Sequence, residues 1–437
     1  MSVTSSKTAN GQPASAAERI QNHLGQGTEY LRQGAGKIRL PEFIMFFLMI
    51  FGDVVPGVGL PYNQVVIIVI VLYALIKQPV YELGKFQNLA FATFAALGYL
   101  AFVSLTHEPS SGAFDWQRRL LRLLLATLLI WIIASGRIHI RSAIVGYITA
   151  LLVNVPLYYA GLTPDNYKGY LTGHLLDKNV SGLAYCIFGL LALALARRWT
   201  EIILTIIIFA AILWLTGSRT SMAAFTMGII WIVLAKRLPV WGRLVLGVLI
   251  YFALGVLTED YSQSSQFGNR TGSDWFRAQI DAASQVKVEN TGIFGRGLGE
   301  AYVYLQHDNK VWLFHNSYWS ALVEGGWPWM LLVVGITVFC LVRPFSNASR
   351  WSRDEVYIQG AGVALLVCAQ RLGEVFYTWP WAVVCGLALR VLLIEREQRL
   401  GTGHDEASIE GFDERIEIRD AEEKSQHAAP VWKEENV

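Results

Sequence analysis

The chain has 437 residues, 53% hydrophobic and only 16% charged, against about 25% charged in an ordinary soluble domain. That deficit points to a membrane protein, and the lack of a basic stripe with interleaved aromatics sets nucleic-acid binding aside. The net charge of +2 adds nothing to either conclusion.

In chain order, residues 1–40 are polar, hold no apolar core of a cleavable signal, and read as a cytoplasmic extension. Insertion then falls to the apolar runs themselves. These lie near 42–59, 62–77, 86–106, 120–135, 140–161, 179–196, 200–216, 219–235, 243–257, 316–342, 356–370 and 375–394. Each is expected to be a helix, because lipid offers backbone groups no other partner. Asp53 and Pro56 interrupt the first, and the eleventh is short, ending at Arg371. The expectation is an all-α polytopic membrane protein. It has about 12 transmembrane helices within 41–395, one long extracytoplasmic loop (258–315) between the ninth and tenth, and a polar cytoplasmic tail at 396–437. Cys186, Cys340, Cys368 and Cys385 all fall in apolar runs and read as small buried hydrophobes, not as a disulfide framework or metal site.

Lys and Arg set the expected orientation. With the N-terminus inside, the inner loops carry Lys77 and Lys85, Arg137 and Arg141, Arg197 and Arg198, Lys236, Arg237 and Arg243, and Arg343, Arg350 and Arg353. Arg118, Arg119, Lys168 and Lys178 are exceptions on the outer side. The count favours both termini in the cytoplasm.

Ionisable groups at an outer membrane boundary are functional candidates, and Arg219, Arg270, Arg277, Arg296 and Arg371 all fall there. Singly, each also suits a role snorkelling to headgroups. Arg219 follows Gly217 and Ser218, which end one span and cap the next; a guanidinium at a helix N-terminus makes an anion site. Arg270 and Arg277 are seven apart, on one helix face with Asp274 between them, which reads either as a self-neutralised row or as a two-arginine clamp. Gly292–Gly299 is too glycine-rich for a helix and reads as a tight turn. His315-Asn316 stands where the long loop enters the tenth span, a place for a general base or a structural histidine. Glu324, nine residues on, would face away from His315 on a straight helix. Gly325, Gly326 and Pro328 can bend that helix, and the expected role of Glu324 is a structural lock with its partner unassigned. His174, Asp177, Lys178 and Asn179 form a polar cluster in which Asn179 can cap the sixth span. Arg371 and Glu374, three apart, can satisfy each other.

No Asp-x-Asp or Glu-x-Asp pair stands in an outer loop to hold a divalent ion on a diphosphate. No nucleophile elbow, Walker motif or His-Glu-x-x-His occurs.

Taken together, these strings resemble the O-antigen ligase and O-antigen polymerase superfamily. The resemblance rests on His315-Asn316-Ser317-Tyr318 followed by Glu324-Gly325-Gly326, on Thr216-Gly217-Ser218-Arg219-Thr220, on Arg270 before Trp275, and on Gly295-Arg296-Gly297-Leu298-Gly299. It covers roughly residues 165–335. Two departures stand out: Arg270 lies five residues before the tryptophan instead of four, which leaves Arg270 and Arg277 competing for one place, and Lys178-Asn179 stands where Pro-Asn is commoner.

The resemblance implies glycan transfer on the outer face of a bacterial inner membrane. The donor would be a glycan on polyprenyl diphosphate, the acceptor a hydroxyl on a glycan or on lipid A core, and no metal or cofactor is implied. It makes His315 the base, Arg219, Arg270 and Arg277 the diphosphate ligands, and Asn316, Glu324, Asn179 and Arg296 supporting residues. A lipid-linked glycan transporter is the rival from another class.

Overall fold

A computed structural model describes residues 38–260, 271–305 and 310–399. Arg270 and residues 1–37 and 400–437 of the terminal extensions lie outside the described residues. The protein is mostly helical: α1 (Leu40–Leu48), α2 (Tyr62–Leu75), α3 (Gln87–Thr106), α4 (Trp116–Ala134), α5 (Ile140–Tyr159), α6 (Lys178–Leu195), α7 (Trp199–Thr216), α8 (Arg219–Leu234), α9 (Val240–Asp260), α10 (Thr271–Glu289), α11 (Ser317–Gly335), α12 (Arg353–Ala369) and α13 (Trp379–Arg399). An antiparallel hairpin, β1 (Tyr302–Leu305) and β2 (Lys310–Leu313), is paired from Tyr302↔Leu313 to Leu305↔Lys310 and is the one departure from all-α among the described residues.

Among the described residues, six helical segments are long and apolar enough to cross a membrane: Gly84–Thr106, Ile140–Tyr159, Lys178–Leu195, Trp199–Thr216, Arg219–Arg237 and Ser317–Val342. Others fall short for identifiable reasons. Helix α4 has 19 residues but carries Arg118, Arg119 and Arg122 in its first two turns, and α12 has only 17 residues. The expected first span, 42–59, is not one helix. Helix α1 has nine residues, about 14 Å at 1.5 Å per residue, less than half of a roughly 30 Å hydrocarbon core. Beyond it the chain folds back, with Tyr62 N–H donating to Asp53 O at 2.8 Å and Asn63 N–H to Phe51 O at 3.1 Å. Asp53 and Pro56 fall in that fold-back, where a carboxylate and a residue without N–H would have broken a helix.

Burial separates centre from periphery. In α6, 72% of the apolar window is buried inside the bundle, against 22% in α7 and 28% in the segment containing α3. Helix α6 is therefore the hub, and α3 and α7 turn most of their side chains outward. A second, smaller core sits at one end of the bundle, where Ile280 of α10, Ala301, Val303 and Leu305 of the hairpin region, Phe314 and Val323 pack together.

That end is joined to α11 by a backbone splice. Helix α11 breaks at Gly326 (φ 67°, ψ −165°), a left-handed conformation that favours glycine. Pro328, with no N–H, cannot satisfy Glu324 O one turn earlier. The turn 292–299 supplies what the break removes: Gly297 N–H donates to Glu324 O at 3.0 Å and Arg296 N–H to Val323 O at 2.7 Å. In return Trp327 N–H donates to Ile293 O at 2.9 Å. The glycine-rich turn therefore completes a broken helix.

Candidate functional site

A cavity of about 850 Å³ opens where α1, α2, α4, α6, the hairpin and the α12–α13 connection meet. One wall is polar: Lys178 and Asn179 at the start of α6, Arg277 of α10, His315, and Arg371 and Glu374 of the connection, with Arg122, Tyr167 and Asp177 beside them. Much of the remaining lining is apolar, from Ile50, Ile67, Leu125, Ala126, Leu183 and Ala184, with Leu125 and Ala126 one turn along from Arg122, and Leu183 and Ala184 one turn along from Asn179.

His315 is placed by its neighbours. Asn316 is the N-cap of α11, its side chain accepting from Tyr318 N–H at 2.9 Å and Trp319 N–H at 3.2 Å, and Phe314 is buried in the small core. The ring between them lines the cavity. Its Nδ1 is buried and makes no hydrogen bond, so the Nε2 edge is the one turned to the cavity. Nδ1 stands 3.8 Å from Asp281 Oδ1. The other Asp281 oxygen stands 3.7 Å from Arg371 Nη1. One carboxylate thus lies between an imidazole and a guanidinium.

The segment carrying Arg371 is stapled to α11. Ser317 Oγ donates to Leu372 O at 2.5 Å and accepts from Val375 N–H at 2.9 Å; Ser320 Oγ donates to Gly373 O at 3.0 Å. A Cβ at residue 373 would collide with the Phe314 carbonyl, so glycine is required for this approach.

At the start of α6 the cap is Asp177, not Asn179: its carboxylate accepts from Asn179 N–H at 2.7 Å and Val180 N–H at 3.1 Å. This frees the Asn179 side chain to line the cavity. The other Asp177 oxygen accepts from Tyr167 Oη. Burial, then that carboxylate, pushes the Tyr167 phenol up to about 12, so it stays a neutral donor.

Several expected site residues lie elsewhere. Arg219 begins α8 as expected but is not among the cavity-lining residues. Gly182 of α6 packs against Ser218 and Ser221, whereas Asn179 and Leu183 face the cavity; α6 stands between the two places. Ser218 Oγ lies 2.8 Å from Ser221 Oγ and makes no capping bond. Arg296 donates through Nη2 to Asn290 O at 2.6 Å, away from the cavity. Glu324 finds the partner that sequence left unassigned: Arg119 Nε at 2.5 Å, with Gly299 N–H donating to its Oε1 at 3.0 Å. Arg371 and Glu374 do not satisfy each other as expected. Glu374 pairs with Arg119 and with Arg122 at 2.8 Å. Burial alone would raise its carboxyl, but Arg122 and Arg119 outweigh burial and hold it well below the usual carboxylate range.

Sequence reasoning missed Asp281 and Arg122. Asp281 lies four residues after Arg277 on one helical face, but attention fell on Asp274. Arg122, inside an apolar run, implied an acidic partner, which Glu374 provides. Among the described residues no group of three or more His, Cys, Asp and Glu is placed to hold a metal ion. No protein-family model matches the chain, and no curated protein matches it.

Proposed function

We propose that this chain is a membrane glycosyltransferase of the O-antigen ligase type, moving a glycan from polyprenyl diphosphate to an acceptor hydroxyl. The observation that carries the reading is the mixed lining of the cavity, cationic and apolar together. Its lining gathers Lys178, Arg277, Arg371 and His315 together with the apolar Ile50, Ile67, Leu125 and Leu183. An anionic headgroup on an apolar tail is the ligand class that such a lining suits.

In this reading the acceptor oxygen attacks the anomeric carbon as the bond to the diphosphate oxygen breaks, with inversion. The hydroxyl proton passes to His315 Nε2. The electron pair leaves on the diphosphate, whose growing charge is met by Arg277, Arg371 and Lys178. The apolar part of the lining receives the first isoprene units. The likeness in residues 216–220, 270–275, 295–299 and 315–326 supports the same assignment, as does the lysine and arginine bias. That bias puts the cavity end outside a bacterial inner membrane and both termini in the cytoplasm.

The deciding experiment supplies purified, reconstituted protein with a polyprenyl-diphosphate-linked glycan and separately with lipid A core or free glycan as acceptor, in the presence of EDTA. Transfer to core makes it a ligase, and elongation of the lipid-linked glycan makes it a polymerase. Movement of intact donor between leaflets without transfer would make it a transporter and end the proposal.

A further inference from the structure

Resting on the transferase reading, we infer that Asp281 is the positioning residue of the site, a carboxylate that fixes the His315 tautomer and shares itself with Arg371 until the donor arrives. Three placements support this. Asp281 follows Ile280, and His315 follows Phe314; Ile280 and Phe314 are each 1% exposed and belong to one small core. The spacing of carboxylate and imidazole is therefore indexed by packing rather than by loop geometry. Arg371 is indexed independently by Ser317 and Gly373. Third, Arg277 and Asp281 are four apart, so α10 offers the cavity end a cation and this carboxylate from one face.

Contacts of 3.8 and 3.7 Å are longer than hydrogen bonds, as catalytic contacts commonly are before substrate binds. The carboxylate faces the buried Nδ1, so Nδ1 carries the ring proton and Nε2 is left to accept one. When diphosphate occupies the cavity it draws Arg371 to itself, and Asp281 is released to His315. The acceptor proton then moves to Nε2, Nδ1 keeps its own, and Asp281 stays ionised beside the imidazolium. Other charges line the same cavity and act on both states: Arg277 of α10, Lys178 and Asp177 at the start of α6, Arg122 of α4, and Glu374 of the connection. Glu374 is held by Arg119 and Arg122, and Asp177 accepts from Tyr167, which leaves Asp281 the carboxylate in contact with the ring.

The test uses full-length Asp281→Asn and Asp281→Glu proteins. Asp281→Asn should lower kcat on the order of 10²-fold, within the general-base range, while KM for the lipid-linked donor holds or falls because Arg371 has lost its competitor. The acid limb of the kcat profile should move to lower pH, since removing a negative neighbour disfavours the imidazolium. Asp281→Glu should return the limb toward its parental position. Independently of turnover, the nitrogen-15 spectrum of histidine-labelled protein, with His315 assigned by its loss in His315→Gln, should show the Nδ1–H tautomer in the parent and a mixture in Asp281→Asn. Parental kcat, an unmoved limb and an unchanged tautomer would overturn the inference while leaving glycan transfer standing. A changed tautomer in a protein that transfers no glycan would keep the dyad and remove the transferase reading. A fall in kcat with a proportionate rise in KM and an unmoved limb would reduce Asp281 to a structural residue.

Discussion

Two clusters of opposite charge sit close together in this molecule, built in contrasting ways. In the first, Arg119 and Arg122 of α4 meet Glu324 of the broken helix and Glu374 of the α12–α13 connection at hydrogen-bonding distance, with Arg119 and Glu324 almost fully buried. In the second, His315, Asp281 and Arg371 stand 3.7–3.8 Å apart and are each about a third exposed. A closed cluster has spent its charges on itself. The second is more loosely spaced and more exposed, and of the two it is the one that presents a histidine. On the proposed reading the first belongs to architecture and the second to chemistry.

The largest effect should come from opening the closed cluster. Arg119→Met leaves Glu324 buried without its cation, a change that costs about 3–5 kcal/mol in buried pairs. Thermal melting in detergent should show a protein that barely folds. Adding Glu324→Met should recover much of the loss, because replacing both charges removes the stranded one. Failure of the double variant to recover would mean that Glu324 does more than pair.

The open cluster should respond in rate and not in stability. His315→Gln should lose roughly 10²–10⁴-fold in transfer with an unchanged melting curve and retained donor binding. Near-parental turnover would erase the distinction between the clusters.

Arginine-to-lysine changes sharpen the same line. Arg277→Lys should cost about 10–10²-fold, the worth of charged hydrogen bonds that an ammonium cannot reproduce in parallel. Arg219→Lys, outside the cavity lining, should cost less. The reverse order in single-turnover assays would move the diphosphate site to the start of α8.

The smallest effect is expected from acid. Glu374 is depressed in the folded state, so its contribution is present above the unfolded carboxylate value and is lost only as pH falls through the lower, folded one. Melting temperature should therefore show no step from this group between pH 7 and about 4.3, the ordinary glutamate value. A Glu374→Gln protein whose melting temperature follows the parent's pH dependence above that value supports this; a parental step that Glu374→Gln abolishes would show that Glu374 is not held by its arginines.

How much of this was legible in the sequence follows from the range of the interactions. Runs of apolar residues report helices directly, and the segments at 86–106, 140–161, 179–196, 200–216, 219–235 and 316–342 each lead to a helix long and apolar enough to cross a membrane. The first run misled because hydropathy averages over Asp53 and Pro56, whereas a helix cannot. The place of His315 and Asn316 at the entry to α11 is legible because it is local: Asn316 caps the helix and His315 precedes the cap. Arg119 with Glu324, and Asp281 with His315, were not, because nothing in a sequence says which distant turn a buried carboxylate will meet. The glycine-rich turn is legible in sequence as a turn, but its partner is not: Gly297 N–H donates to Glu324 O, the carbonyl that Pro328 cannot serve, 27 residues later in the chain.

That splice also bears on how the chain folds. Helix α11 carries a gap in its own bonding that only the preceding segment can fill. The filling comes from the turn at 292–299, which follows α10 and precedes the hairpin. Without that turn, Glu324 O and Trp327 N–H would enter hydrocarbon unpaired, each at a cost of several kcal/mol. The broken helix and the turn at 292–299 are therefore one folding unit: α11 has its backbone fully paired only with that turn in place.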